Sequence, residues 1–449
     1  MGVVAWEEGF EAAAAKARAT GKPLLLYWGA VWCPPCNRVK ADIFAHDEFA
    51  ERMRAVVPVW IDGDVPGAQA LAQRLKLRSY PTLVLYTPGG VEVTRLPGEI
   101  DGDMFVTLLD GALDASHSAS ASLAAALDGS RTLAAAEWTL LAHYAWDTDE
   151  GVLLQGRPVH DVLQALAQAC PVPAAASRLR LLALALHADP AAASWLVDLC
   201  RDAEFVRANR DIFFNHGNLV RQSGNAQVAG LLFDLAQAWA DDMWLSTSDR
   251  LLAVRLQMRM ARVGHPAPGM PERMRAAVHD ALAAAETPYE RHTLVNTAYS
   301  ALNDAGLHDE AQALLQAELP GALAPYYLML YLASGARRRG DTAAMLDWYE
   351  QAWRTAPGTA TRLQWGVTYL TALLEATAEP VSTLGSTPES DTSSSVGRIE
   401  QAASMIAADI AAIPDAFSQR NRLQLAKLAD RLAQGPHAPA LLQTLRSGL

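Results

Sequence analysis

The stretch LLLYWGAVWCPPCNRVK, residues 24–40, decides how the chain begins. Its continuous apolar run, bounded by Pro23 and Gly29, reads as a short strand buried on both faces. Two cysteines follow, Cys33 and Cys36, and then a basic segment of helical character. Such a pair serves electron transfer, half of a metal site, or structure. A cysteine at the point where a strand turns into a helix favours the first use. The opening amides of a helix have no internal partners and present partial positive charge. A thiolate there is stabilised and becomes nucleophilic near neutral pH. Pro34 and Pro35 suit the first turn, because their missing N–H groups would have gone unbonded. Cys36 lies one turn along, under Cys33 and less exposed. The asymmetry makes Cys33 the attacking thiol and Cys36 the resolving one. Arg38 and Lys40 add weak positive potential.

The rest of the first quarter agrees with this placement. Residues 6–19 hold strong helix formers, and Thr20-Gly21-Lys22-Pro23 stops the helix. NRVKADIF and DEFAERMRA read as helix, VVPVWIDGDV as strand and GAQALAQRLK as helix. PTLVLYTPGGVEVTRL is a hairpin turning at Pro88-Gly89-Gly90, and DGDMFVTLLDGAL is a last helix. Strands alternating with helices predict a mainly parallel sheet with one antiparallel edge, and chemistry beyond the carboxyl ends of its strands.

WCPPC between an apolar strand and a helix, followed downstream by Tyr80-Pro81-Thr82, resembles the thioredoxin superfamily over residues 1–113. The resemblance implies that Cys33 and Cys36 are a redox-active pair needing no other cofactor. It implies that Trp32 shields the pair, that Pro81 is a cis-proline packed beside it, and that Tyr80 presents its backbone to an extended substrate. Gly98 then allows close approach on the neighbouring loop. Two positions depart from the family. Tyr27 stands where thioredoxins bury an aspartate, six residues before the first cysteine, and Pro58 stands where a lysine accompanies it. These departures argue against a fast general reductase. The CPPC pair is similar to tryparedoxin- and nucleoredoxin-like members, and GKPLLLYWGAVWC to short thioredoxin-like domains in bacterial fusions.

Composition sets outer limits. The 449 residues are 51% hydrophobic and exceed one ordinary domain of about 150 residues. A net charge of −12 argues against a nucleic-acid surface, which needs clustered Lys and Arg. Lys16, Arg18 and Lys22 before the apolar run imitate a signal peptide, but Glu7, Glu8 and Glu11 lie upstream and no small-x-small cleavage site follows. No apolar run reaches the roughly 18 residues of a membrane span. The expectation is a cytoplasmic chain away from membranes, or a periplasmic one had a leader been removed. Cys170 and Cys200, the other two cysteines, sit in apolar helical contexts and read as inert packing residues, with a regulatory disulfide as the alternative.

After Leu113 the character changes. DASHSASAS, 114–122, reads as a linker, and 123–449 as helices throughout. YYLMLYLASGARRRGDTAAMLDWYEQAWRTAP, 326–357, has the layout of a tetratricopeptide repeat, and the preceding HTLVNTAYSALNDAGLHDEAQALLQAELP repeats it. Gly306 and Gly340 are one such period apart, and Gly224 and Gly264 mark looser units upstream. Residues 379–397, rich in Ser, Thr and Pro, read as a mobile loop. Scattered histidines, among them His143, His216 and His292, have no metal-binding spacing.

The expected fold is therefore an α/β thioredoxin-like N-terminal domain followed by an all-α, tetratricopeptide-like solenoid. The expected activity is thiol–disulfide exchange with a protein substrate and an upstream electron donor or acceptor, the array holding a partner protein. Alternatives are a scaffold whose thioredoxin-like fold is a docking module, and a disulfide isomerase or holdase.

Overall fold

The computed structural model describes residues 4–449 apart from 188, 217–218, 220–224 and 379–388. The chain forms two compact units, Met1–Ile61 with Ser79–Leu314 and Asp62–Arg78 with Leu315–Leu449.

The chain opens with α1 (Phe10–Thr20) and β1 (Leu24–Gly29), whose six residues are all buried. Residues 6–9, expected as the first helical turn, instead run beside the strand that holds Val59, where the Glu7 amide donates to the Pro58 carbonyl at 2.9 Å. Next come α2 (Pro34–Arg38), a π-helical turn (Val39–Ile43), α3 (Asp47–Arg52), β2 (Val57–Asp62) and α4 (Ala68–Leu75). β3 (Thr82–Tyr86), β4 (Glu92–Leu96) and α5 (Gly102–Leu113) complete the α/β segment. The four strands form one sheet in the order β2-β1-β3-β4.

The sheet corrects the expectation of a mainly parallel one. β1 pairs antiparallel with β3, from Leu24 opposite Tyr86 to Trp28 opposite Thr82, and β3 pairs antiparallel with β4. Alternation of strands and helices records that a crossover exists but not in which direction the returning strand runs. One face of the sheet and its helices share a core of Leu25, Tyr27, Val39, Phe49, Leu83 and Phe105. Aromatic rings run through it from Trp6 to Phe44 and on to Phe49, each pair of centroids 4.9 Å apart.

Beyond α5 the described residues are helical apart from their connections. The presumed linker ends early. Ser118 accepts the Ala121 amide at 3.2 Å and caps a helix over Ala119–Asp128, so small residues suffice for helix once a hydroxyl caps it. In the first unit, Leu123, Trp138, Leu163 and Leu179 centre one apolar cluster, and Phe213, Leu232, Trp239 and Leu256 another. Gly306 and Gly340 take φ of 81° and 73° between consecutive helices, a left-handed turn that a side chain resists. Asp341 then caps the next helix through the Ala344 amide. Gly224 lies outside the described residues.

In the second unit the Asp64 carboxylate accepts the Thr361 amide at 2.9 Å, at the start of the Thr359–Ala378 helix. Asp415 accepts the Ala70 amide at 3.0 Å. Of the expected loop 379–397, residues 379–388 lie outside the described residues, and 389–397 belong to a helix, Glu389–Ala412. The amphipathic stretch after Arg398 nucleates that helix, and extending it backwards through Ser and Thr costs little. Among the described residues no helix is long and apolar enough to cross a membrane.

Candidate active site

The first strand delivers Cys33 to the N-cap of α2, with Pro34 and Pro35 in the first turn. Cys33 and Cys36 are joined as a disulfide, with Cα atoms 5.2 Å apart. The Cys36 amide points at Cys33 Sγ from 3.2 Å. A sulfur that accepts a backbone amide at a helix start is placed to hold negative charge. Cys36 is fully buried, and Cys33 is only 3% exposed. Asn37, which the sequence did not single out, closes the strand-to-helix turn by donating to the Val31 carbonyl at 2.8 Å.

Tyr27 lies beneath the pair. Its hydroxyl donates to the Cys36 carbonyl at 3.1 Å, and its ring meets Phe44 edge-on at 4.9 Å. Trp32 packs edge-on against Tyr80 at 5.7 Å, and Tyr80 stacks on Trp28 at 5.4 Å. The Tyr80–Pro81 peptide is cis. Gly98 backs onto this proline. A Cβ at 98 would come within 3.1 Å of both Pro81 Cγ and Val39 Cγ2, so a side chain there would press on both neighbours. The structure thus brings Tyr27, Trp32, Cys33, Pro34, Pro35 and Cys36 together on one junction, with Tyr80, Pro81 and Gly98 forming an adjoining edge.

The basic residues after the pair behave differently from the expectation. Arg38 is buried and ion-paired with Asp249 and, at 3.2 Å, with Asp42. Burial alone would lower its pKa, but Asp249, Asp42 and Glu99 together outweigh that and raise it. Arg210 shares the Asp249 carboxylate at 2.6 Å and reaches Asp101 at 3.1 Å. The Arg38 charge is therefore spent on carboxylates. Lys40 sits over the rings of Trp60 and Tyr289, at 4.3 and 4.7 Å.

A helix far along the chain reaches the same junction. In Pro288–Asp304, His292 Nε2 lies 2.9 Å from the Trp32 carbonyl oxygen. The Thr293 hydroxyl lies 3.1 Å from the carbonyl oxygens of Pro34 and Tyr289. A carbonyl only accepts, so Nε2 carries the hydrogen. Burial lowers the His292 pKa, keeping the imidazole neutral. No spacing rule links positions 260 residues apart, and the only local signal was a polar His-Thr pair facing the apolar side of a helix.

Cys170 and Cys200 are free thiols. Burial raises the pKa of both, that of Cys200 to about 12. His143 is held down to about 4 by burial and by Arg178, and no group of three or more His, Cys, Asp or Glu among the described residues is arranged to hold a metal.

With this geometry in place, the comparisons with known proteins are specific. A family model for the thioredoxin-like domain matches residues 10–113. Thiol:disulfide interchange protein DsbD 1 of Pseudomonas aeruginosa is 34% identical over 95 residues, which make up 20% of this chain and only 16% of that protein. Thioredoxin H-type of Oryza sativa subsp. indica is 30% identical over 112 residues, 24% of this chain and 87% of that protein. A solved structure of a thioredoxin from Thermus thermophilus is 26% identical, covering 24% of this chain and 86% of its own, with a TM-score of 0.23. Through residues 10–113, the chain belongs to the thioredoxin-like family.

Proposed function

We propose that the chain is a thiol–disulfide oxidoreductase acting on protein substrates through Cys33 and Cys36. The observation that carries this reading is the Cys36 amide directed at Cys33 Sγ at the start of α2. In the reducing direction the Cys33 thiolate attacks one sulfur of a partner disulfide. The partner S–S bond breaks, its leaving sulfur takes up a proton from solvent, and a Cys33–partner disulfide forms. Cys36 loses its proton and attacks Cys33 Sγ. The second partner sulfur leaves as a thiol, and the Cys33–Cys36 bond closes. The partner gains two electrons and the dithiol loses them; the reverse sequence oxidises a partner dithiol.

Tyr27 supports a tuned rather than a general exchanger. A phenol at this position is a poor acceptor for the Cys36 proton at neutral pH, whereas a carboxylate accepts it readily. The helical array, read as tetratricopeptide-like, holds the partner. A second reading, a docking module, is favoured by one fact: the carbonyls of Trp32 and Pro34 are already engaged by His292 and Thr293. A Cys36→Ser variant separates the two. An exchanger accumulates mixed disulfides that vanish when Cys33 is also replaced, and the wild type reduces insulin with a dithiol donor. Absence of both results leaves docking as the role.

A further inference from the structure

The loop that carries Gly98 has two sides. One packs on Pro81 and Val39. The other helps to enclose a cavity of about 170 Å³, walled by Pro97, Gly98, Glu99 and Ile100 and by helices of the same compact unit. The wall beyond the loop is largely apolar, with Trp146, Leu163, Leu182 and Ile212. A cavity of this size holds one large side chain, since about 150 Å³ accommodates a benzene ring.

The polar groups on the cavity are not balanced. Asp211 is matched by Arg178 in two bonds of 3.1 and 2.7 Å, so that pair presents no net charge. His216 has its pKa lowered by burial and is neutral at pH 7. Glu99 and the exposed Asp147 remain. Glu99 is pushed up to about 6, by burial first and then by the charge of Asp147, although the Asn215 amide donates to it. Arg38, which also acts on Glu99, is already shared with Asp42 and Asp249. Two carboxylates that repel each other beside an apolar wall form a site for a cation carried on an aliphatic stem. The cavity shares Gly98 with the edge beside Pro81, while the Trp32 and Pro34 carbonyls are occupied by His292 and Thr293.

We infer that this cavity is a specificity pocket for a basic side chain of the protein substrate, an arginine or lysine close in sequence to the reacting cysteine. The stem packs on Trp146 and Leu163, and the charged end meets Glu99 and Asp147. The inference rests on the exchange reading above and names the substrate class for it.

The test uses the full chain, reduced, with short peptides whose single cysteine is held as a mixed disulfide with a chromogenic thiol. Peptides with Arg or Glu flanking the cysteine are compared at low ionic strength, together with hydroxyethyl disulfide as a small uncharged probe. The readout is the ratio of Arg to Glu rates on each protein, in which any general loss of activity cancels. The wild type should prefer Arg by about tenfold, as for a partly buried charge pair. Asp147→Asn should lower the ratio severalfold, and Leu163→Trp, which fills the cavity, should bring it towards one. If Leu163→Trp does not fold, Asp147→Asn, at an exposed position, decides alone. Exchange of hydroxyethyl disulfide with an Arg-to-Glu ratio near one, or a ratio untouched by Asp147→Asn, overturns the pocket but leaves the oxidoreductase standing. Failure to exchange hydroxyethyl disulfide overturns both.

Discussion

Cys33 begins a helix, whereas Cys170 and Cys200 end theirs. Cys33 is the N-cap of α2, Cys170 the C-cap of Val159–Ala169, and Cys200 the last residue of Ala193–Cys200. The residue type is the same and the burial of Cys200, at 2%, is close to that of Cys33, at 3%. Helix polarity separates them. Amide hydrogens converge at the start and favour a thiolate, while carbonyl oxygens converge at the end and disfavour one. Burial adds to the second case and pushes Cys200 up to about 12. Helix position thus separates thiols that number and exposure alone do not, while burial supplies the upward shift of Cys200.

The sharpest way to break this contrast is to remove the thiols one end at a time. Cys33→Ser should lower exchange with a protein disulfide by at least about 10³-fold, since serine has no comparable nucleophile to offer. Cys170→Ala with Cys200→Ala should leave the rate within about twofold, because neither thiol ionises appreciably at pH 7. Turnover assays of the two proteins decide it, and a comparable loss in both would put the helix-end thiols into the chemistry.

Alkylation of the reduced protein sharpens the same point through pH. A thiol with its pKa at about 12 is ionised in only about one molecule in 10⁴ at pH 8, and each further pH unit multiplies that by ten. Cys200 modification should therefore rise tenfold per unit through pH 8–11, with Cys33, at its helix start, modified faster than Cys200 at pH 8. Peptide mapping after timed iodoacetamide pulses gives both curves. A plateau for Cys200 near pH 9 would mean that burial does not control it.

The helix over the dithiol predicts a smaller effect. Replacing His292 by Ala and Thr293 by Val removes the donors to the Trp32 and Pro34 carbonyls. Cys33 alkylation in the reduced protein should speed up severalfold as the helix loosens, at a cost of about 1–3 kcal/mol in stability. His292→Gln, which keeps a donor, should recover part of both. If the double variant is destabilised but Cys33 reacts no faster, the helix supports the junction without screening it.

Local structure was legible in this sequence wherever its signal was local. WCPPC after an apolar run placed Cys33 at the N-cap and both prolines in the first turn, because those features lie within one strand and one helical turn. Gly306 and Gly340 marked helix ends for the same reason. What stayed hidden depends on distant pairing. Arg38 reads as a free cation beside Cys36 until Asp249 and Arg210 arrive, and nothing near Trp32 announces His292. The antiparallel register of β1 on β3 was concealed too, since a buried strand carries no mark of its neighbour's direction. Residues 389–397 look like a loop by composition yet continue a helix begun by the apolar periodicity after them.

Tyr27 marks the least conspicuous difference between the two kinds of cysteine. Beneath Cys36 a phenol donates to the peptide carbonyl, so the group below this cysteine is fixed by a hydrogen bond. Tyr27→Phe keeps the ring and its contact with Phe44 while deleting that bond. The lost bond should cost about 1 kcal/mol, since the Cys36 carbonyl keeps the Val39 amide, read from the denaturant midpoint of the oxidised protein. Exchange should change little if the hydroxyl only positions Cys36, because attack by Cys33 does not pass through it. A large fall in the rate of mixed-disulfide resolution, with the first attack unchanged in stopped flow, would instead assign the hydroxyl to the proton of Cys36. It would make Tyr27 the functional replacement for the missing carboxylate rather than a structural one.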